Sequence, residues 1–149
     1  MAWHTEADRN SIATPTVASS SLALKFRLGD GVPRDQFVAL VLPIPPTLAS
    51  WDRVSFHARA SGPVRLSVQL RQLGHDNPAR WRRTVYLDET ARPATIVFDD
   101  MTPVPPNVVH ASARTSIGAL LLVLDTTNTA PGATGEIVFT DLALERNRE

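Results

Sequence analysis

The chain has no cysteine. That excludes disulfides, thiolate nucleophiles and cysteine metal sites, and it fits either redox compartment. Aromatic residues are scarce at 6%, and few of them stand where they would serve as stacking platforms. Lys25 is the only lysine among fifteen basic residues, so the cations are almost all planar guanidinium forks suited to bidentate contacts. Charge of one sign is missing too. The formal net charge is zero and the pI is near 6.9, so no long-range field draws the molecule toward nucleic acid or anionic lipid. No apolar run approaches the roughly 20 residues that cross a bilayer, and membrane insertion is not expected. The opening MAWHTEADRNS carries no basic segment followed by an apolar stretch, so no secretion signal is expected and the localisation stays open.

Catalytic signatures are missing as well. There is no G-x-S-x-G elbow, H-E-x-x-H pair, P-loop or Rossmann glycine pattern. The four histidines (His4, His57, His75 and His110) are isolated, with no pair at metal-ligand spacing. Asp99-Asp100 and Asp88-Glu89 are adjacent acids, and neighbours on a strand point to opposite faces, so neither pair shares a site there. The chain is not expected to be an enzyme. Asp125 to Glu136 begins and ends like a calcium loop, but its sixth position is Ala130 where such a loop needs glycine, and its flanks read as strands. Gly132 and Gly135 read instead as turn residues. Arg80, Arg82 and Arg83 around Trp81, with Arg71 near, are too short a cluster for nucleic acid, which wants a basic stripe with stacking aromatics.

What is present is strand patterning over the length of one domain, 149 residues with 43% hydrophobic and 20% charged. Pro63 to Asp88 is its clearest part. Val64, Leu66, Val68 and Leu70 alternate with Arg65, Ser67, Gln69 and Arg71, and a strand repeats its side chains every two residues. A loop composition follows, and Arg82, Thr84 and Tyr86 then alternate with Val85 and Leu87. The spacing predicts a hairpin of two long strands. Further strands are expected over Ser21–Leu28, Gln36–Ile44, Arg53–Ser61, Ala94–Asp99, Ile117–Asp125 and Glu136–Glu145. Gln36–Ile44 is apolar on both faces, as in a strand covered on both sides. Residues 1–20 are weakly patterned. Pro46 to Asp52 could form one helical turn, with Leu48 and Trp51 plugging an end of the core. A proline-rich loop from Met101 to about Ser116 is long enough to cross between sheets or shape a site. Eight or so strands with uneven connections predict an all-β fold, an antiparallel β-sandwich of jelly-roll type over 1–149.

The succession Ser50-Trp51-Asp52-Arg53-Val54-Ser55-Phe56, Arg65-Leu66-Ser67-Val68-Gln69-Leu70, Arg80-Trp81-Arg82-Arg83 and Thr140-Asp141-Leu142-Ala143-Leu144 resembles the galactose-binding-like jelly rolls. It is closest in pattern to their non-catalytic carbohydrate-binding modules. The resemblance covers the chain from about Leu22 onward. It implies a sugar bound on one sheet's concave face, and a structural calcium ion between the N-terminal segment and an aspartate of the last strand.

The residues supply candidates for both. His57, Arg59, Arg65, Gln69, Arg71, Arg82 and Tyr86 share one parity within their strands. If those strands are neighbours, they form one polar face able to bind a carbohydrate or a related small polar ligand. The alternative is a solvated outer face, which every sandwich has. Trp81 shares its parity with Val85 and Leu87, which favours the core, and Trp3 and Trp51 read as end plugs. For a calcium ion, Asp141 is the positional candidate, with Glu6 and Asp8 at the other terminus. Otherwise Asp141 lies on an exposed face or pairs with an arginine. The expected function is that of an accessory, ligand-binding module. The alternative is a structural or protein-interaction domain that packs against other domains of a larger extracytoplasmic or sensor protein.

Overall fold

The computed structural model describes residues 3–30, 36–44, 51–72, 78–104 and 117–146. Eleven strands form among them: β1 (His4–Ala7), β2 (Ile12–Val17), β3 (Ser21–Arg27), β4 (Phe37–Pro43), β5 (Arg53–Ala60), β6 (Val64–Gln72), β7 (Arg80–Leu87), β8 (Arg92–Val97), β9 (Thr102–Pro103), β10 (Ile117–Asp125) and β11 (Thr134–Glu145). One 3-10 turn, Phe98–Asp100, is the only helical element among the described residues. The strands make two sheets. One has six strands in the order β1-β4-β10-β6-β7-β9, and the other has five in the order β2-β3-β11-β5-β8. All pairings are antiparallel. The chain passes repeatedly from one sheet to the other, as a jelly-roll sandwich requires.

Alternation builds the core. Leu22, Leu24 and Phe26 of β3, Val54, Phe56 and Ala58 of β5, and Ile137 and Phe139 of β11 face inward from the five-stranded sheet. Val38, Leu40 and Leu42, Leu66, Val68 and Leu70, and Leu120, Leu122 and Leu124 meet them from the other. Phe56 and Phe139 lie edge to face at 5.7 Å, an arrangement that favours the ring quadrupoles. Trp81 is buried in the same core. Arg83 shares its parity yet stays exposed, and its guanidinium donates to the Asp100 carbonyl. Trp3 and Trp51 pack part-buried against the core.

The hairpin of β6 and β7 has the expected register, from Val64 opposite Leu87 to Arg71 opposite Arg80. Residues 73–77 of its loop, the start of the turn expected over Pro46–Asp52, and 105–116 of the proline-rich loop lie outside the described residues. Three strands were not expected. β1 and β2 fall in the weakly patterned opening, and both are edge strands with little to bury. Pro15 is tolerated in β2 because an edge strand leaves one side of its backbone unpaired. β9 is a two-residue edge strand in the proline-rich loop.

Candidate binding site on the six-stranded sheet

The outward side of the six-stranded sheet is unusual for a sandwich. Register places His4, Val41, Leu121, Gln69 and Arg82 in one row across β1, β4, β10, β6 and β7. Ala39, Val41, Ala119, Leu121 and Val123 form a second apolar cluster on this side, with Phe37 packed against it. Val41 is 0% and Leu121 4% exposed. β4 and β10 are thus buried on both faces, as the two-sided apolar pattern of Gln36–Ile44 led one to expect. β3 in the other sheet shows the ordinary alternation of buried and open positions.

Polar groups are drawn into this covered face. Ser67 and Gln69 of β6 are 2% and 4% exposed. Gln69 Nε2 donates to Ser67 Oγ at 3.0 Å, while Gln69 Oε1 has no hydrogen-bond partner among the described residues. The amide oxygen of Gln36, also buried, is in the same state. A buried acceptor left unpaired costs about 1–3 kcal/mol, and both oxygens are closed off from water, so this face is packed and not merely wet.

Glu6 of β1 and Arg71 of β6 form a two-pronged ion pair, at 2.8 Å and 3.0 Å. Their strands are three steps apart in the sheet, about 14 Å if the sheet were flat. The pair thus bridges the outward side of β4 and β10. The Arg71 hydrogen bond, opposed by partial burial, holds the Glu6 carboxyl below its ordinary value. Asp8 fixes the entry to β4. Burial pushes its carboxyl up, but hydrogen bonds from Ser11 and from the amides of Phe37 and Asn10 prevail and leave it lowered. Close packing here needs glycine at position 29, where a Cβ would stand 2.7 Å from Asn10 Cβ and 3.1 Å from Gln36 Oε1.

Above the apolar floor lies a cavity of about 420 Å³, within the usual range for small-molecule sites. Ala39, Leu121, Val123, Phe37 and Val104 supply its apolar lining. Gln69, Arg71, Arg80, Arg82, Glu6, Gln36, Asp125, Thr126 and Thr127 supply its polar wall.

Of the seven residues assigned to one polar face from parity, the structure brings three together around the cavity: Gln69, Arg71 and Arg82. Arg65 and Tyr86 stand opposite each other on the same outward side but beyond the cavity lining, with Tyr86 53% exposed. His57 and Arg59 do not join them. They project from β5, which belongs to the five-stranded sheet, because parity tells outward from inward but not which of two sheets a strand enters. Glu6, Gln36, Phe37, Asp125, Thr126 and Thr127 were not assigned to the face. The two-sided apolar run that begins at Gln36 was the one signal that pointed their way.

The three carboxylates considered for calcium do not converge. Glu6 is committed to Arg71, Asp8 to the amides of Asn10 and Phe37, and Asp141 stands on the five-stranded sheet. Among the described residues no three His, Asp or Glu side chains gather as a metal site would need, so these residues do not fit the ion. Asp141 sits at a bulge in β11, between Thr140 and Ala143, with φ of 55°. The bulge turns its carboxylate outward, 3.5 Å from His57 Nδ1. It borders a second hollow of about 340 Å³ with Trp3, Ser19, Ser20 and Ser21.

No family model and no curated protein matches the sequence. Solved structures do. A family 11 carbohydrate-binding module from Clostridium thermocellum, in complex with a β-1,3-1,4-mixed-linked tetrasaccharide, superposes with a TM-score of 0.70 at 13% identity, covering 99% of this chain and 90% of that one. A family 30 carbohydrate-binding module gives 0.62 at 9% identity, over 95% and 91% of the two chains. A family 61 module in complex with β-1,4-galactotriose gives 0.53 at 13% identity, over 97% and 88%. This chain has the jelly-roll fold of those modules.

Proposed function

We propose that this protein is a non-catalytic module that binds a carbohydrate on the outward face of its six-stranded sheet. One observation carries the proposal: the outward side of β4, β10 and β6 is buried like a core, yet opens into a hollow walled by polar groups. A purely solvated face would not bury Val41, Leu121 and Gln69. Sugar hydroxyls donate and accept, and among the lining residues they find the amide of Gln69 and the guanidinium groups of Arg71 and Arg82. The C–H side of a pyranose ring packs on Leu121, Val123 and Phe37. Structural neighbours solved with a mixed-linked tetrasaccharide and with galactotriose support the same reading. Support for the non-catalytic part comes from the same neighbours, which are binding modules.

The test is isothermal titration against a panel of neutral and acidic oligosaccharides, with Gln69→Ala as the paired variant. At least one member should bind with a measurable heat, and Gln69→Ala should weaken it about tenfold, equivalent to roughly 1.4 kcal/mol. If no member binds at millimolar concentration, the covered face serves assembly, and the interaction-domain alternative replaces this one.

A further inference from the structure

We infer that the saccharide selected by this cavity carries an anionic group, a carboxylate or a sulfate, held by Arg82. The inference rests on the binding site proposed above and names its ligand class. Five charged side chains line the cavity, Arg71, Arg80 and Arg82 against Glu6 and Asp125, in a chain whose formal net charge is zero. Glu6 is taken up by Arg71 through both of its oxygens. Asp125 turns back on its own turn, where Oδ1 accepts from the Thr127 amide at 3.1 Å. Arg80 is already engaged, which leaves Arg82. It is half-buried, and its side chain makes no ion pair or hydrogen bond among the described residues.

A cation withdrawn from water without a counter-charge is costly, and an incoming anion offsets that cost. The guanidinium fork matches a planar carboxylate in a two-pronged contact. Gln69 stands directly opposite Arg82 in the register and lines the same cavity, so the hydroxyls flanking the acid fall beside Gln69 while the acid meets Arg82. Phe37 is the one aromatic among the described residues lining the cavity. Ring stacking therefore contributes little here, and charge is left to select the ligand.

The experiment compares pairs that differ only in the acid: tetragalacturonate against its methyl ester, and a sulfated galactan oligosaccharide against the unsulfated one. Each is titrated calorimetrically at low and at moderate salt into wild type, Arg82→Gln, Arg82→Lys and, as a charge-matched control on the other sheet, Lys25→Gln. The acid form should bind at least tenfold tighter than its neutral counterpart in wild type and in Lys25→Gln. Salt should shrink that advantage, Arg82→Lys should keep part of it, and Arg82→Gln should reduce it below threefold. Which pair shows it tells carboxylate from sulfate. Neutral and acidic forms binding equally to wild type would overturn the inference while leaving the binding module intact, and that comparison needs no variant to fold. Equal weakening of both forms in Arg82→Gln would overturn it too. Binding by none of them, with a neutral oligosaccharide of the wider panel still bound, would overturn the inference alone, whereas binding by no member of that panel would overturn both proposals.

Discussion

The two outward faces of this sandwich follow the same two-residue arithmetic and end in different states. On the five-stranded sheet Lys25, Arg27, His57 and Arg59 project into solvent between small or half-buried neighbours. On the six-stranded sheet the same positions hold Ala39, Val41, Leu121 and Val123, all buried, with arginines and acids toward the rim. Both faces are rich in guanidinium groups, so polar content does not separate them. An apolar middle does. A charged rim around a buried floor gives a ligand something to displace and something to grip, whereas a uniformly wet face offers competing water at every contact.

A charge placed in each face should separate the two most strongly. Leu121→Asp would bury an unpaired carboxylate and should cost at least about 3 kcal/mol, whereas Val138→Asp, half-exposed and opposite Arg59 on β11, should cost about 1 kcal/mol or less. Urea denaturation midpoints with unchanged m-values check this. Equal losses would mean that the two faces are equally covered.

That contrast was only partly legible from the residues. The β6–β7 hairpin was, because Val64 to Leu70 and Val85 to Leu87 alternate without a break. So was the two-sided burial of β4, whose QFVALVLPI has no polar face to offer water. The grouping of the site was not. His57 and Gln69 share an outward parity, but their sheets are set by pairing with β11 and β10, partners far away in sequence. Glu6 read as a metal candidate because an acid near a terminus gives no hint that Arg71, 65 residues on, will claim it. Asp141 read as an acid inside a strand, and the bulge that turns it outward has no marker such as glycine.

Backbone strain sharpens the comparison from the other side. Asp141 is the one non-glycine residue with positive φ among the described residues, and it lies on the sheet opposite the cavity. Asp141→Val should destabilise by about 1–2 kcal/mol, since a β-branched side chain resists that conformation. Asp141→Gly should be neutral or slightly stabilising. Neither should alter saccharide affinity. A change in affinity would place part of the site on the five-stranded sheet.

The smallest effect concerns the ion pair that spans the outward side of the six-stranded sheet. Glu6 and Arg71 are both about a third exposed, so solvent screening limits their contribution to about 1 kcal/mol. The folded-state value of Glu6 lies below its ordinary 4.5, so the stabilisation is full above that pH and is lost as pH falls through the lowered value. Wild type should exceed Glu6→Gln in stability at neutral pH, and the gap should close in acid. His57→Gln on the other sheet should show no gap at neutral pH, because its partner Asp141 is well exposed. Thermal melts at pH 7 and in acid measure both.

Ligand should bind on the buried outward face of the six-stranded sheet. Mapping backbone amide shifts by NMR during titration with the tightest saccharide of the panel tests it most directly. A continuous set of shifts is expected through Phe37–Val41, Ser67–Arg71, Arg80–Arg82 and Leu121–Thr127, with β3, β5 and β8 silent. Shifts centred on His57, Arg59 and Asp141, with Gln69 and Arg82 unmoved, would contradict it.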